Sequence, residues 1–152
     1  MIGKGLLAPL FLAHLVMGCN IGMDSFAPSL GGGNAVLEPS TALRFDVVPV
    51  TGVSSEAVLL VVPTEDLAVE IIDIWVDGPD SQAFKVGHIN LPIVIAPEQD
   101  AELTVVFSAG HTGSHGATIY VLLSDVEGEA LTVRAEGMGC KDANADLECD
   151  PN

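Results

Sequence analysis

Three stretches of the chain alternate between apolar and polar residues with a strict period of two. Leu103, Val105 and Phe107 form the first apolar set, Ala117, Ile119, Val121 and Leu123 the second, and Leu131, Val133 and Ala135 the third. Thr104, Thr118, Tyr120, Ser124, Thr132 and Arg134 fall in the opposite phase. Successive side chains of a strand point to opposite faces, so this pattern requires strands with one buried and one solvated face. Turn chemistry separates them: Pro97 and Asp100 before the first, the Gly-rich run 110–116 between the first two, and 125–129 around Gly128 before the third. Shorter apolar segments precede them at 42–46, 57–62, 69–76, 84–86 and 92–95. Roughly seven to nine short antiparallel strands at about ten-residue spacing predict an all-β sandwich.

One segment carries a competing signal. Asp66, Glu70, Asp73 and Asp77 recur at helical spacing, and Thr64 is placed to cap a helix. Against this, Val69, Ile71, Ile72, Ile74 and Val76 are all β-branched, which favours a strand. The apolar phase slips between Val69 and Ile72, as a bulge would produce. The segment is read as a strand, with a helix as the alternative.

Composition removes other classes. The 152 residues are 49% hydrophobic, too apolar for a disordered chain. The 16 glycines follow no triplet period, which excludes a collagen-like chain. Five Lys and Arg against 21 Asp and Glu give a net charge of −16, which repels the phosphates of nucleic acid. No apolar run after the first segment reaches the roughly 20 residues of a membrane-spanning helix.

The first segment reads as a leader. Lys4 supplies a positive flank, and an apolar stretch from Leu6 to Met17 is broken only by Pro9 and His14. It is too short to span a bilayer and has the layout of a secretory signal. It closes on Leu15-Val16-Met17-Gly18-Cys19, which resembles the bacterial lipoprotein box. That resemblance implies cleavage of residues 1–18, diacylglycerol on the Cys19 thiol and acylation of the new amino terminus. It also implies an exported, lipid-anchored protein of the bacterial cell envelope. Asn20 in place of Asp after the lipidated residue resembles lipoproteins sorted to the outer membrane. Several acyl chains hold a protein at a membrane where one chain does not. Residues 19–34, with Pro28 and Gly31-Gly32-Gly33, read as the lipidated Cys and a flexible linker of roughly 20 Å reach. With Cys19 assigned to lipid, Cys140 and Cys149 remain as a disulfide pair in an oxidising compartment.

The body, residues 35–139, resembles the Hydin-type (ASPM–SPD-2–Hydin) immunoglobulin-like domains also found in bacterial choice-of-anchor D proteins. Pro39-Ser40 precedes a strand ending in Phe45, followed by Val48-Pro49-Val50 and a second strand through Val62. Then come a Gly-containing turn at Gly78, Phe84-x-Val86, the alternating run into Phe107, and a closing strand ending in Gly137-x-Gly139. Pro63-Thr64-Glu65-Asp66 replaces the family's usual Asn-Thr-Gly turn, and Ser108-Ala109 its usual Pro after the Phe. The resemblance implies a single immunoglobulin-like β-sandwich acting as a non-catalytic scaffold, adaptor or protein-binding module. It implies a protein partner in the envelope and supplies no catalytic residues.

His111 and His115 have a chelating spacing, but no third zinc ligand is near in sequence, so they read as an exposed polar turn. His88 reads as a loop residue. No Gly-x-Ser-x-Gly elbow is present, and no Cys outside the lipid and tail positions is available to a His, so the chain reads as a non-enzyme. In the acidic tail, residues 140–152, Asp142, Asn144 and Asp146 alternate as oxygen ligands do in Ca²⁺ loops, with Glu148 and Asp150 available to add to them. Leu147 stands where such loops need a Gly. A solvated, disulfide-closed terminus is the first reading of this tail and weak Ca²⁺ binding the alternative.

Overall fold

The computed structural model describes residues 33–50, 52–124, 129–144, 146 and 148–150. The leader, Cys19, most of the linker and the turn at 125–128 lie outside the described residues. The strands in chain order are β1 (Ala35–Glu38), β2 (Ala42–Arg44), β3 (Val48–Pro49), β4 (Ser54–Pro63), β5 (Val69–Asp77), β6 (Phe84–Val86), β7 (Ile93–Ile95), β8 (Ala101–Ser108), β9 (Gly113–Leu123) and β10 (Leu131–Cys140). A 3-10 turn at Ser81–Ala83 leads into β6.

Two sheets form the sandwich. The four-stranded sheet runs β1-β4-β8-β6, and the six-stranded sheet runs β2-β10-β9-β5-β7, with β3 also on β10. Two details correct the expected roughly seven to nine antiparallel strands. The four-residue β1 and two-residue β3 are too short to show a period in sequence and bring the strands to ten, and β2 and β3 lie parallel to β10. The parallel pairing follows from the chain's path. Only residues 39–41 separate β1 from β2, so the chain passes to the other sheet's edge without reversing direction.

The alternating segments behave as their pattern requires. Leu103, Val105, Phe107, Ile119, Val121, Val133 and Ala135 are buried, while Thr132 and Arg134 face solvent. Leu131 is half-buried at the rim of the core. Phe107 belongs to the four-stranded sheet and meets the six-stranded sheet across the core, so the buried layer is shared between the sheets. Its ring stacks with Phe84 at 5.0 Å and tilts against Phe45 at 5.6 Å. It also packs on the backbone of Gly137, where an added Cβ would come within 2.5 Å of the ring.

Segment 69–77 is a strand, and its register slips between Ile71 and Asp73. The bulge turns Ile72 outward, so Val69 and Ile71 are buried before it and Ile74 and Val76 pack against the core after it. At the entrance to the sandwich, Gly33 and Asn34, read as the end of the linker, are docked. The Asn34 carbonyl accepts from the Thr64 N–H at 2.9 Å and the Thr64 hydroxyl at 3.1 Å. A Cβ on Gly33 would sit 2.9 Å from the Leu67 carbonyl oxygen, so only glycine allows this approach.

Candidate functional site

A polar cluster forms where the β8–β9 connection meets the β5–β6 connection. β9 begins at Gly113, so residues 113–116 belong to a strand and the turn is confined to 110–112. This corrects the exposed-turn reading for His115, which lies in the inward phase and is 3% exposed. The glycine-rich run hid that phase. Gly110 N–H donates to His115 Nε2 at 3.3 Å, so Nδ1 carries the proton and donates to the Gly113 carbonyl at 3.1 Å. The ring meets Phe107 edge-on at 5.3 Å.

His111 is exposed, as expected, and stacks on His115 with centroids 4.0 Å apart. Its Nδ1 faces the Thr112 carbonyl at 2.9 Å and its Nε2 faces Asp80 Oδ1 at 3.5 Å. Asp80 Oδ2 accepts from Gly116 N–H at 2.9 Å, tying the β5–β6 connection to β9. The Gly116 N–H, and then the His111 side chain, hold the Asp80 carboxyl below its ordinary value. The Thr112 carbonyl, followed by Asp80, raises the His111 imidazole above its own. Asp80 carries no sequence motif, because its partner is 36 positions away.

The chemistry open to this cluster is narrow. The two imidazoles lie face to face, and both nitrogens of His115 are engaged by the backbone, so the pair does not converge on a cation. A cavity of about 410 Å³ beside them is lined by Ser108, Asp80 and both histidines. The nitrogens of His111 face the Thr112 carbonyl and Asp80 rather than the Ser108 hydroxyl. His88 lies in an exposed loop segment, as read from sequence.

The tail is closed by a disulfide between Cys140, the last residue of β10, and Cys149, with Cα atoms 5.5 Å apart. Asp142 Oδ1 accepts from Asp146 N–H at 3.2 Å, and Asp146 Oδ1 from Glu148 N–H at 3.0 Å. Asn144 donates to Asp146 Oδ2 at 2.8 Å, and an Asp150 oxygen caps the Ala143 N–H. Of the candidate Ca²⁺ ligands, Asp142, Asp146 and Asp150 thus turn carboxylate oxygens toward the loop's own donors. Among the described residues, no three His, Cys, Asp or Glu are placed to share one metal ion.

The outer face of the six-stranded sheet holds residues that sequence reasoning passed over. Trp75 on β5 and Tyr120 on β9 are cross-strand partners, stacked at 4.9 Å and 3°. Their positions in the solvent-facing phase were the available signal. Nearer β2, Glu136 bridges Arg44 at 3.6 Å and Arg134 at 3.2 Å beside a cavity of about 440 Å³.

No family profile and no curated protein matches the sequence. Solved structures do. The chain is similar to PapD-like domain 7 (ASH) of human CEP192, with TM-score 0.53 and 14% identity over 93% of this chain and 98% of that one. It is similar to a protein of unknown function from Porphyromonas gingivalis W83, with TM-score 0.52 and 14% identity, over 74% of this chain and half of that one. A family 123 glycoside hydrolase from Clostridium perfringens matches at TM-score 0.53 and 10% identity, over 74% of this chain and only 28% of the hydrolase. At these identities the likeness is one of fold: two sheets packed as a PapD-like, immunoglobulin-like sandwich.

Proposed function

We propose that the chain is a non-catalytic lipoprotein of the bacterial cell envelope that presents one immunoglobulin-like sandwich as a structural, adaptor or protein-binding module. Cys19 would carry the lipid, and the outer membrane is its destination where the organism has one. The observation that carries the reading is the joining of two features in one chain. A Gly18-Cys19 step closes an apolar leader. The sandwich behind it is similar to a PapD-like domain over nearly the whole of both chains. The Asp80–His111–His115 cluster supports a non-catalytic role, since its nitrogens and carboxylate oxygens are spent on holding two loops together.

The test is at the anchor. Wild-type protein expressed with labelled fatty acid should take up label and fractionate with membranes. Cys19→Ser should do neither. A Cys19→Ser variant that stays on membranes, with an unlabelled wild type, would overturn the proposal.

A further inference from the structure

The chain has one Trp and one Tyr, and both stand on the outer face of the six-stranded sheet while Phe84 and Phe107 fill the core. Trp75 is 38% exposed. One face of its indole stacks on Tyr120. On the other side β7 pairs with β5 only from Val69 to Ile71, so among the described residues no strand pairs with β5 there beside Trp75. Asp73 and Asp77 sit two residues to either side of it in the same phase of β5, both exposed. Each fixes itself by accepting the next residue's N–H through Oδ1, from Ile74 and from Gly78, both at 2.8 Å. Neither is in an ion pair among the described residues.

We propose that this face, with Trp75 at its centre and Asp73 and Asp77 at its flanks, is the docking surface for an arginine-bearing segment of a basic partner protein. The inference rests on the protein-binding reading above and names the partner's chemistry. A guanidinium stacks flat on an indole, and its fork of donors suits a carboxylate at the ring's edge. An aromatic face between two carboxylates with no ion-pair partner offers both. The chain's net charge of −16 draws a basic partner toward it before contact. Recognition is by side chain rather than by strand addition, because Asp73 and Asp77 already occupy two N–H groups along this part of β5.

Trp75 is the only tryptophan, so its emission reports the site directly. The full chain is titrated at low ionic strength with a blocked peptide alternating glycine and arginine, and with its citrulline counterpart, which keeps the shape and loses the charge. The arginine peptide should give a saturable emission change and the citrulline peptide none. Asp73→Asn/Asp77→Asn should weaken binding about five- to tenfold, a loss of roughly 1–1.4 kcal/mol. Glu56→Gln/Glu102→Gln removes the same charge from exposed positions of the other sheet and should change binding less than about twofold, under roughly 0.4 kcal/mol. Trp75→Leu, followed by calorimetry with circular dichroism confirming the fold, should abolish the heat. Equal weakening by the two charge pairs, equal binding of the citrulline peptide, or no saturable change would each overturn the proposal. None of these outcomes bears on membrane attachment, so the anchored-module reading stands or falls separately.

Discussion

Phe107 and Thr132 lie on alternating strands of opposite phase, and the difference between them is a stability measurement. Phe107 is fully buried against two other phenylalanines and Gly137. Phe107→Ala should cost about 3–5 kcal/mol in denaturant unfolding, while Thr132→Ala should stay within about 0.5 kcal/mol of wild type. Equal effects would put the register wrong. At His111 the prediction is one of pH. Its imidazole is raised above 6.5 in the fold, so its stabilisation is present below 6.5 and lost as pH rises through the higher folded value. Asp80 is lowered below 3.8, so its contribution is present above 3.8 and lost as pH falls through the lower folded value. The stability difference between wild type and His111→Gln should therefore be largest between these limits and shrink on either side. A difference independent of pH would remove the pairing. The inward residues were legible because period two is a local property. His115 and Asp80 were not, because one hides among glycines and the other finds its partner only after β5 and β9 have paired.

At the scale of elements, the long strands and the short β2, β6 and β7 could be read, and β1 and β3 could not. β8, β9 and β10 each carry several repeats of the apolar alternation, whereas the four-residue β1 and two-residue β3 are defined only by the strands they lie against, β4 and β10. The bulge in β5 was visible as a phase slip, since five β-branched residues leave little room for a helix and the extra one must be turned outward. The β8–β9 connection was read too long, because glycine at 113 and 116 marks a turn in sequence and is tolerated in the strand. The Cys140–Cys149 disulfide closes the tail onto the end of β10. Replacing both cysteines by serine should lower stability by about 2–3 kcal/mol in thermal or denaturant unfolding. An unchanged midpoint would mean that the tail does not hold the strand. Calorimetry with Ca²⁺ on the oxidised protein and on Asp142→Ala/Asp146→Ala should give the same heats, because both carboxylates serve backbone N–H groups in the loop. A saturable heat lost in the variant would instead make the tail a cation site.

For the whole molecule, the sandwich confines its chemistry to surfaces. The core is apolar, with His115 the only buried polar or charged residue among those described. Both of its ring nitrogens are hydrogen-bonded to the backbone. That leaves the outer face of the six-stranded sheet and the tail as the polar surfaces, which suits the proposed role of an anchored, protein-binding module. The sheet order and the PapD-like likeness appear only in the folded chain, while the proposed leader rests on the order of charge, apolar run, Gly18 and Cys19 alone. The decisive measurement is therefore the intact mass of the protein purified from bacterial membranes. The anchored reading predicts a chain beginning at Cys19 that carries a thioether-linked diacylglycerol and an amide-linked acyl chain. A chain that begins elsewhere, or at Cys19 with a free thiol and amine, would contradict it.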